Sequence, residues 1–197
     1  MIILASQSVA RKAMLAAAGV SFEAVAAHVD EEGVTQALLQ EAASPEKIAD
    51  ALAELKAVKI SRQRPGMLVL GADSVVATHD GRLLAKPDTR PRAEDQLRTL
   101  SGTTHKLVSA AVVAQDGQPV WRIGGAARLT MRVLSQAFIK AYLDREGEEV
   151  LGCVGCYRIE GLGAQLFTRI DGDQFVIRGL PLLALLGWLR ERGELVA

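Results

Sequence analysis

The run Met67–Ala77, MLVLGADSVVA, is apolar at nearly every position. A strand that alternates has one face in water, whereas a continuous apolar run belongs to a strand buried on both faces. The chain therefore has to build a sheet with helices available to cover it. One residue breaks the run: an acid following LVLGA in such a strand costs several kcal/mol unless it is paired or bound to a metal. Asp73 is thus marked as a site residue rather than a packing residue. The Asp80-Gly81 pair then predicts a two-residue hairpin turn back into RLLA, which places Asp73 and the lysine of AKP, Lys86, across from each other.

Elsewhere the pattern alternates between short strands and helices. IILAS reads as a strand, and Ser8 stands at the N-cap of VARKAMLAAAG. SFEAVAAHVDEE alternates and reads as a second strand that leaves Asp30, Glu31 and Glu32 at its end. Ser44-Pro45 starts a helix running to about Ser61, with Lys56 in its second half, and residues 90–100 read as another. Two long antiparallel strands meet at Asp116-Gly117, and Ser135 caps a helix to about Arg145. GLGAQLFTRIDGDQF reads as a hairpin, and LPLLALLGWLRERG as a last helix with a thick apolar stripe. Strict alternation is missing, so the fold class is α/β or α+β with a mixed sheet. That leucine stripe is read as core, with a homodimer through it as the alternative.

The chain has 197 residues, 49% of them hydrophobic, enough for one domain with a sizeable core. Lys+Arg and Asp+Glu both number 23, so no overall field favours a long nucleic acid, and an anionic ligand is expected to be small. No apolar run approaches the roughly 20 residues of a membrane span, and MIILASQSVARKAML has too short an apolar core for a secretory signal, so a cytoplasmic protein is expected. Cys153 and Cys156 form a C-x-x-C, open to a redox pair or half a zinc site, although none of His28, His79 and His105 completes a second ligand pair. Burial in a glycine-rich turn is the favoured reading of the two cysteines.

The polar residues at element ends are Ser6, Ser8, Arg11, Lys12, Asp30, Glu31, Lys56, Asp73, Lys86 and Glu160. Cations and carboxylates in similar number suit a phosphate chain bridged to acids by a divalent cation, because hard cations take oxygen from one or two carboxylates plus phosphate. Arg11 and Lys12 sit in a first helical turn whose free N–H groups favour anions. Arg11, Lys12, Asp30, Glu31, Lys56 and Lys86 equally suit a solvated surface.

These residues lie in motifs that resemble the Maf family of nucleoside triphosphate pyrophosphatases. LASQSVAR is similar to the family's L-A-S-x-S-P-x-R, Val29-Asp30-Glu31 to V-D-E, LAELKA to L-A-x-x-K-A, GADSV to G-[AS]-D-x-V, and AKP to G-K-P. LSGTTH, GLGAQLF and GLPLL continue the match in the same order over nearly the whole chain. The resemblance implies an elongated mixed sheet with flanking helices, like that of the inosine triphosphatases, in one domain of two lobes around a central cleft. It also implies metal-dependent cleavage between the α and β phosphates, with Mg²⁺ or Mn²⁺ as cofactor. Asp73 then matches the proton acceptor, Glu31 and Asp73 the metal-site acids, and Ser6, Ser8, Arg11, Lys12, Lys56 and Lys86 the positions that handle phosphate.

Specificity positions depart from the branch acting on dTTP and UTP, where S-P-R-R, G-A-D-T, K-A-G-x-Y and I-Q-G stand. This chain has Ala10, Ser74, Cys153 and Glu160 at the changed positions. The last two resemble the branch acting on 7-methyl-GTP. A carboxylate only accepts hydrogen bonds and so suits the N1–H and N2–H₂ edge of guanine, while a glutamine amide suits a pyrimidine imide; an ion pair of Glu160 with Arg158 or a nearby basic residue is the alternative of equal weight. The 7-methyl-GTP branch has tryptophan where this chain has Ala10, which removes a stacking partner for a cationic ring. The expected function is pyrophosphatase action on a modified nucleotide, 7-methyl-GTP ahead of dTTP and UTP. The rival reading is a nucleotide-binding regulator of cell division without turnover.

Overall fold

The computed structural model describes residues 1–196. The chain forms two compact units, the first made of Met1–Ser74, Val108–Gly125 and the segment from Asp173 onward, the second of Val75–Leu107 and Ala126–Gly172. The strands are β1 (Ile2–Leu4), β2 (Phe22–Ala24), β3 (Val69–Ala77), β4 (Leu83–Leu84), β5 (Thr104–Gln115), β6 (Gln118–Met131) and β7 (Phe167–Asp171). Their pairing order is β2-β1-β3-β5-β6-β7, with β4 on β3. β1 runs parallel to both β2 and β3, while β3–β4 and β6–β7 are antiparallel, so the sheet is mixed as its sequence pattern predicts.

In the first unit, α1 (Val9–Ala17), α2 (Glu31–Gln40), α3 (Pro45–Ser61), α6 (Gln174–Ile177) and α7 (Leu182–Glu191) join the strands. Both faces of β1 and β3 are covered. Ile2, Leu4, Leu68, Leu70 and Ala72 pack with Met14, Leu15, Leu182, Leu185 and Leu189 on one side, and Ile3, Ala5 and Val69 with Ala27 and Ile60 on the other. The leucine stripe of α7 is core, as expected. Ser8, Asp30 and Ser44 cap α1, α2 and α3 by accepting the backbone N–H of Arg11, Gly33 and Lys47.

The second unit holds α4 (Arg90–Leu100) and α5 (Gln136–Glu146), capped by Thr89 and Ser135, with Leu97, Leu100, Ile139 and Leu143 buried. Two 3₁₀ turns, Gly147–Gly152 and Leu162–Leu166, follow α5.

Four expectations need correction. β2 stops at Ala24, and Asp30 opens α2 instead of ending a strand. None of the α2 residues is buried, so no apolar stripe advertises that helix in the sequence. GLGAQLFTRIDGDQF is not a local hairpin: β7 pairs with β6, and Asp173 caps α6. The turn after β3 has three loop residues, not two. Gly81 N–H donates to Thr78 O at 3.0 Å and Thr78 N–H to Arg82 O at 2.9 Å, a type I turn closed by Gly81 at φ 85°. Finally, the β3–β4 ladder covers only Val76–Leu84 and Ala77–Leu83, so it does not pair Asp73 with Lys86. The Asp116-Gly117 turn does have two residues, at φ 52° and 81°, as the β5–β6 connection requires.

Candidate active site

The site in the first unit begins with a glycine. A Cβ at Gly71 would lie 2.1 Å from Ala53 O and 2.7 Å from Ala57 N, so β3 and α3 touch backbone to backbone there. That approach lays Lys56, between Ala53 and Ala57 on α3, over the next part of β3. Its Nζ lies 2.6 Å from Asp73 Oδ1 and 2.7 Å from Glu31 Oε1. Lys56 and Asp73 are both buried, and Glu31, in the first turn of α2, is half-buried. One ammonium thus holds two carboxylates from separate elements, β3 and α2.

Arg11 completes the cluster. It is buried on α1 and donates through Nε to Gly179 O (2.8 Å), through Nη1 to Ser6 Oγ (3.2 Å) and through Nη2 to Ser74 Oγ (3.0 Å). Ser6 Oγ also accepts the Ser8 N–H at 3.2 Å, which stitches the β1–α1 turn together. Burial pulls the Arg11 guanidinium down from its ordinary range, opposed by the charges of Asp73 and Glu31. Burial pushes the Asp73 carboxyl up, Lys56 and then Arg11 oppose it, and Glu31 adds to the rise. Two cations and Asp73 therefore answer one another shielded from water, with Glu31 reaching Lys56 from a half-exposed position. Ala10 and Lys12 lie half-buried on the first turns of α1.

Lys86 and Glu160 belong to the second unit and are exposed. There they share the surroundings of Cys153. Its thiol is pushed up mainly by burial, then by Glu160, with Arg158 and Lys86 pulling it down. Arg158 is held by Glu146 at 3.5 Å and by Glu149. Cys156 is buried and pushed up to about 12 by burial, and its Sγ–H donates to Gln96 Oε1 at 3.2 Å. Both cysteines are free thiols in a turn where Gly155 has φ 82°, in keeping with the packing reading.

Gln96 is a residue that the sequence does not single out. Its Nε2 donates to Ala85 O at 2.7 Å, beside Lys86, while its Oε1 accepts Gly155 N–H at 3.3 Å. It ties the segment carrying Lys86 to the Cys153–Cys156 turn. A lone glutamine on a polar helix carries no sequence signal of such a role. Among the described residues no group of three or more His, Cys, Asp and Glu side chains is arranged to hold a metal ion. Asp73 and Glu31 converge on Lys56 Nζ.

The fold and this site define a mixed α/β protein in which a buried acid on a glycine-cleared strand is matched by buried cations from two helices. The chain belongs to the Maf family: the Maf-like protein family matches residues 1–192. It is 54% identical over 192 residues to a nucleoside triphosphate pyrophosphatase of Sphingopyxis alaskensis, covering 98% of this chain and 97% of that one. It is 52% identical to a nucleoside triphosphate pyrophosphatase of Caulobacter vibrioides, covering 98% and 96%. With a 7-methyl-GTP pyrophosphatase of Brucella abortus the identity is 44%, covering 96% and 94%. Among the described residues no helix is long and apolar enough to cross a membrane.

Proposed function

We propose that this chain is a nucleoside triphosphate pyrophosphatase, cutting the α–β phosphoanhydride to leave a nucleoside monophosphate and pyrophosphate. The observation that carries the reading is Lys56 Nζ held between Asp73 and Glu31, with Arg11 alongside. In the reaction water attacks the α-phosphorus, its proton passes to the Asp73 carboxylate, and the bond to the β-phosphate oxygen breaks. Lys56 serves the base twice. Its charge opposes the rise that burial imposes on the Asp73 carboxyl, and its hydrogen bond occupies Oδ1 and leaves Oδ2 to take the proton.

Arg11, Lys12 and Lys56 bind phosphate oxygens, and the resemblance of AKP to the family's G-K-P supports a phosphate-binding role for Lys86. Ser6 and Ser8 order the turn that presents the start of α1 to the anion. A donor set of two carboxylates, Glu31 and Asp73, fits Mg²⁺ or Mn²⁺, which accept one or two acids and complete their shell with water and phosphate oxygen. When bound, such a cation supplies Lewis-acid neutralisation of the phosphate chain.

The favoured substrate is 7-methyl-GTP. Glu160 stands exposed beside Cys153, where its acceptor-only carboxylate suits the guanine N1–H and N2–H₂ and the cationic methylated ring. The resemblance of Cys153 and Glu160 to that branch supports this, as does the Brucella relative's name. dTTP and UTP are the runners-up.

The test incubates the purified protein with 7-methyl-GTP, GTP, UTP and dTTP plus Mg²⁺ or Mn²⁺ and measures released pyrophosphate. Selective turnover of 7-methyl-GTP, lost in Asp73→Asn, is expected. Preference for UTP or dTTP overturns the substrate, pyrophosphate from none of them overturns the reaction, and full turnover by Asp73→Asn overturns the base.

A further inference from the structure

We propose that Ser109 is a positioning residue that sets the orientation of the Arg11 guanidinium through Ser74; the proposal rests on the phosphate-binding role of Arg11 above. Ser109 lies within the apolar run of β5 and is 0% exposed. A buried hydroxyl in such a strand needs a partner, because no water replaces one. It has two: Ser74 Oγ at 2.8 Å and Val176 O at 2.8 Å.

The direction of this chain is forced at both ends. A guanidinium only donates and a carbonyl only accepts, and each hydroxyl between them has a single proton. Arg11 Nη2 therefore donates to Ser74 Oγ, Ser74 donates to Ser109 Oγ, and Ser109 donates to Val176 O. The chain also closes on itself. Val176 O accepts Gly179 N–H at 3.0 Å, and Gly179 O accepts Arg11 Nε at 2.8 Å. Arg11 is gripped from two edges by one ring of bonds through α1, β3, β5 and the turn after α6.

Ser74 directly follows Asp73 on β3, so the same ring fixes the strand at the site acid. With the Ser109 hydroxyl removed, Ser74 has no defined acceptor for its proton, and its hydroxyl is free to turn that proton toward the Arg11 guanidinium and oppose the bond it accepts there. Linked bonds of this kind are coupled, so the loss is felt at Arg11 and not only at Ser109.

The experiment compares wild type, S109A, S74A and the double variant by KM and kcat on whichever triphosphate the wild type hydrolyses fastest. It also measures solvent exchange of the Arg11 guanidinium protons by ¹⁵N NMR. S109A is expected to raise KM about 5-fold with kcat changed by less than about 2-fold, the mark of lost uniform binding. In the S74A background it adds nothing further, because the link it acts through is gone. Exchange at Arg11 is expected to speed up about 10-fold in S109A. An unchanged KM, an equal effect of S109A in both backgrounds, or unchanged exchange overturns the proposal. If the wild type hydrolyses no triphosphate, the functional reading fails on its own, and the exchange measurement still decides the role of Ser109. Should S109A not fold, S109C, which keeps the volume but donates only weakly, takes its place in both measurements with the same expectations.

Discussion

The Nζ of Lys56 lies 2.6 Å from Oδ1 of Asp73, both side chains being about nine-tenths shielded from solvent. Removing one member of such a pair leaves the other charged and buried, which costs more than the pair itself contributes. K56M is therefore expected to lower stability by about 3 kcal/mol at pH 7. The sign with pH follows from Asp73, whose carboxyl is raised by burial and in K56M is no longer opposed by Lys56. A raised carboxyl weakens the fold above its folded pKa and not below its unfolded value of 3.8. The K56M deficit should shrink as pH falls toward 4. Urea midpoints of both proteins at pH 7 and near pH 4.5 check this, and a constant deficit contradicts it.

Gly71 sets the distance between α3 and β3, so G71A tests how the site is built. The new methyl meets Ala53 O and Ala57 N, which are backbone and have no rotamer to retreat into. Displacing α3 carries Lys56 away from Asp73. The expected loss is about 2–4 kcal/mol of stability together with at least about 10-fold in kcat/KM, since overpacking against backbone is poorly absorbed. A G71A protein of wild-type activity shows that the site does not depend on this contact.

The central strand, the caps at Ser8, Ser44 and Ser135 and the acid at Asp73 were legible because each is a local signal: an apolar run, a polar residue before a helix, a charge where none belongs. Asp30 misled, since an N-cap and a strand end look alike until the helix beyond shows a stripe, and α2 buries nothing. The count of loop residues at Asp80-Gly81 was missed because Asp-Gly serves both a two-residue turn and the last two residues of a longer one. Ser109 and Gln96 were invisible for a different reason. Their roles are fixed by partners 35 to 67 residues away in sequence, namely Ser74 and Val176 for Ser109 and Gly155 and Cys156 for Gln96. Lys56 is nearer its partners in sequence, 17 residues from Asp73, and it falls with both acids among the polar residues at element ends before the resemblance gives the three their roles.

His105 gives a pH signature independent of catalysis. It is buried beside Tyr157 and Phe167, with Nε2 3.0 Å from the Tyr157 hydroxyl, and burial pulls its imidazole down from 6.5 to about 4. Between those values the unfolded chain binds a proton that the native state refuses, so stability rises with pH and is lost as pH falls from 6.5 toward 4. The full contribution is about 3 kcal/mol. An NMR titration should find His105 neutral at pH 5.5, and an imidazole half-protonated there contradicts the assignment.

Glu160 tests the substrate without disturbing the fold. It is exposed, so E160Q should leave the urea midpoint within about 0.5 kcal/mol of wild type. What changes is the hydrogen-bonding pattern offered to the base. The carboxylate accepts from both guanine donors and attracts a cationic ring, whereas the amide oxygen replaces only one of the two acceptors, its NH₂ being left to O6, and the amide has no charge. A pyrimidine imide gains where the methylated guanine loses, because its N–H and carbonyl oxygen match the amide. The ratio of kcat/KM for 7-methyl-GTP over UTP is expected to fall by at least about 10-fold in E160Q, with pyrophosphate still released. If both substrates change by the same factor, Glu160 holds the loop rather than the base, and Cys153 or Ser74 becomes the next position to exchange.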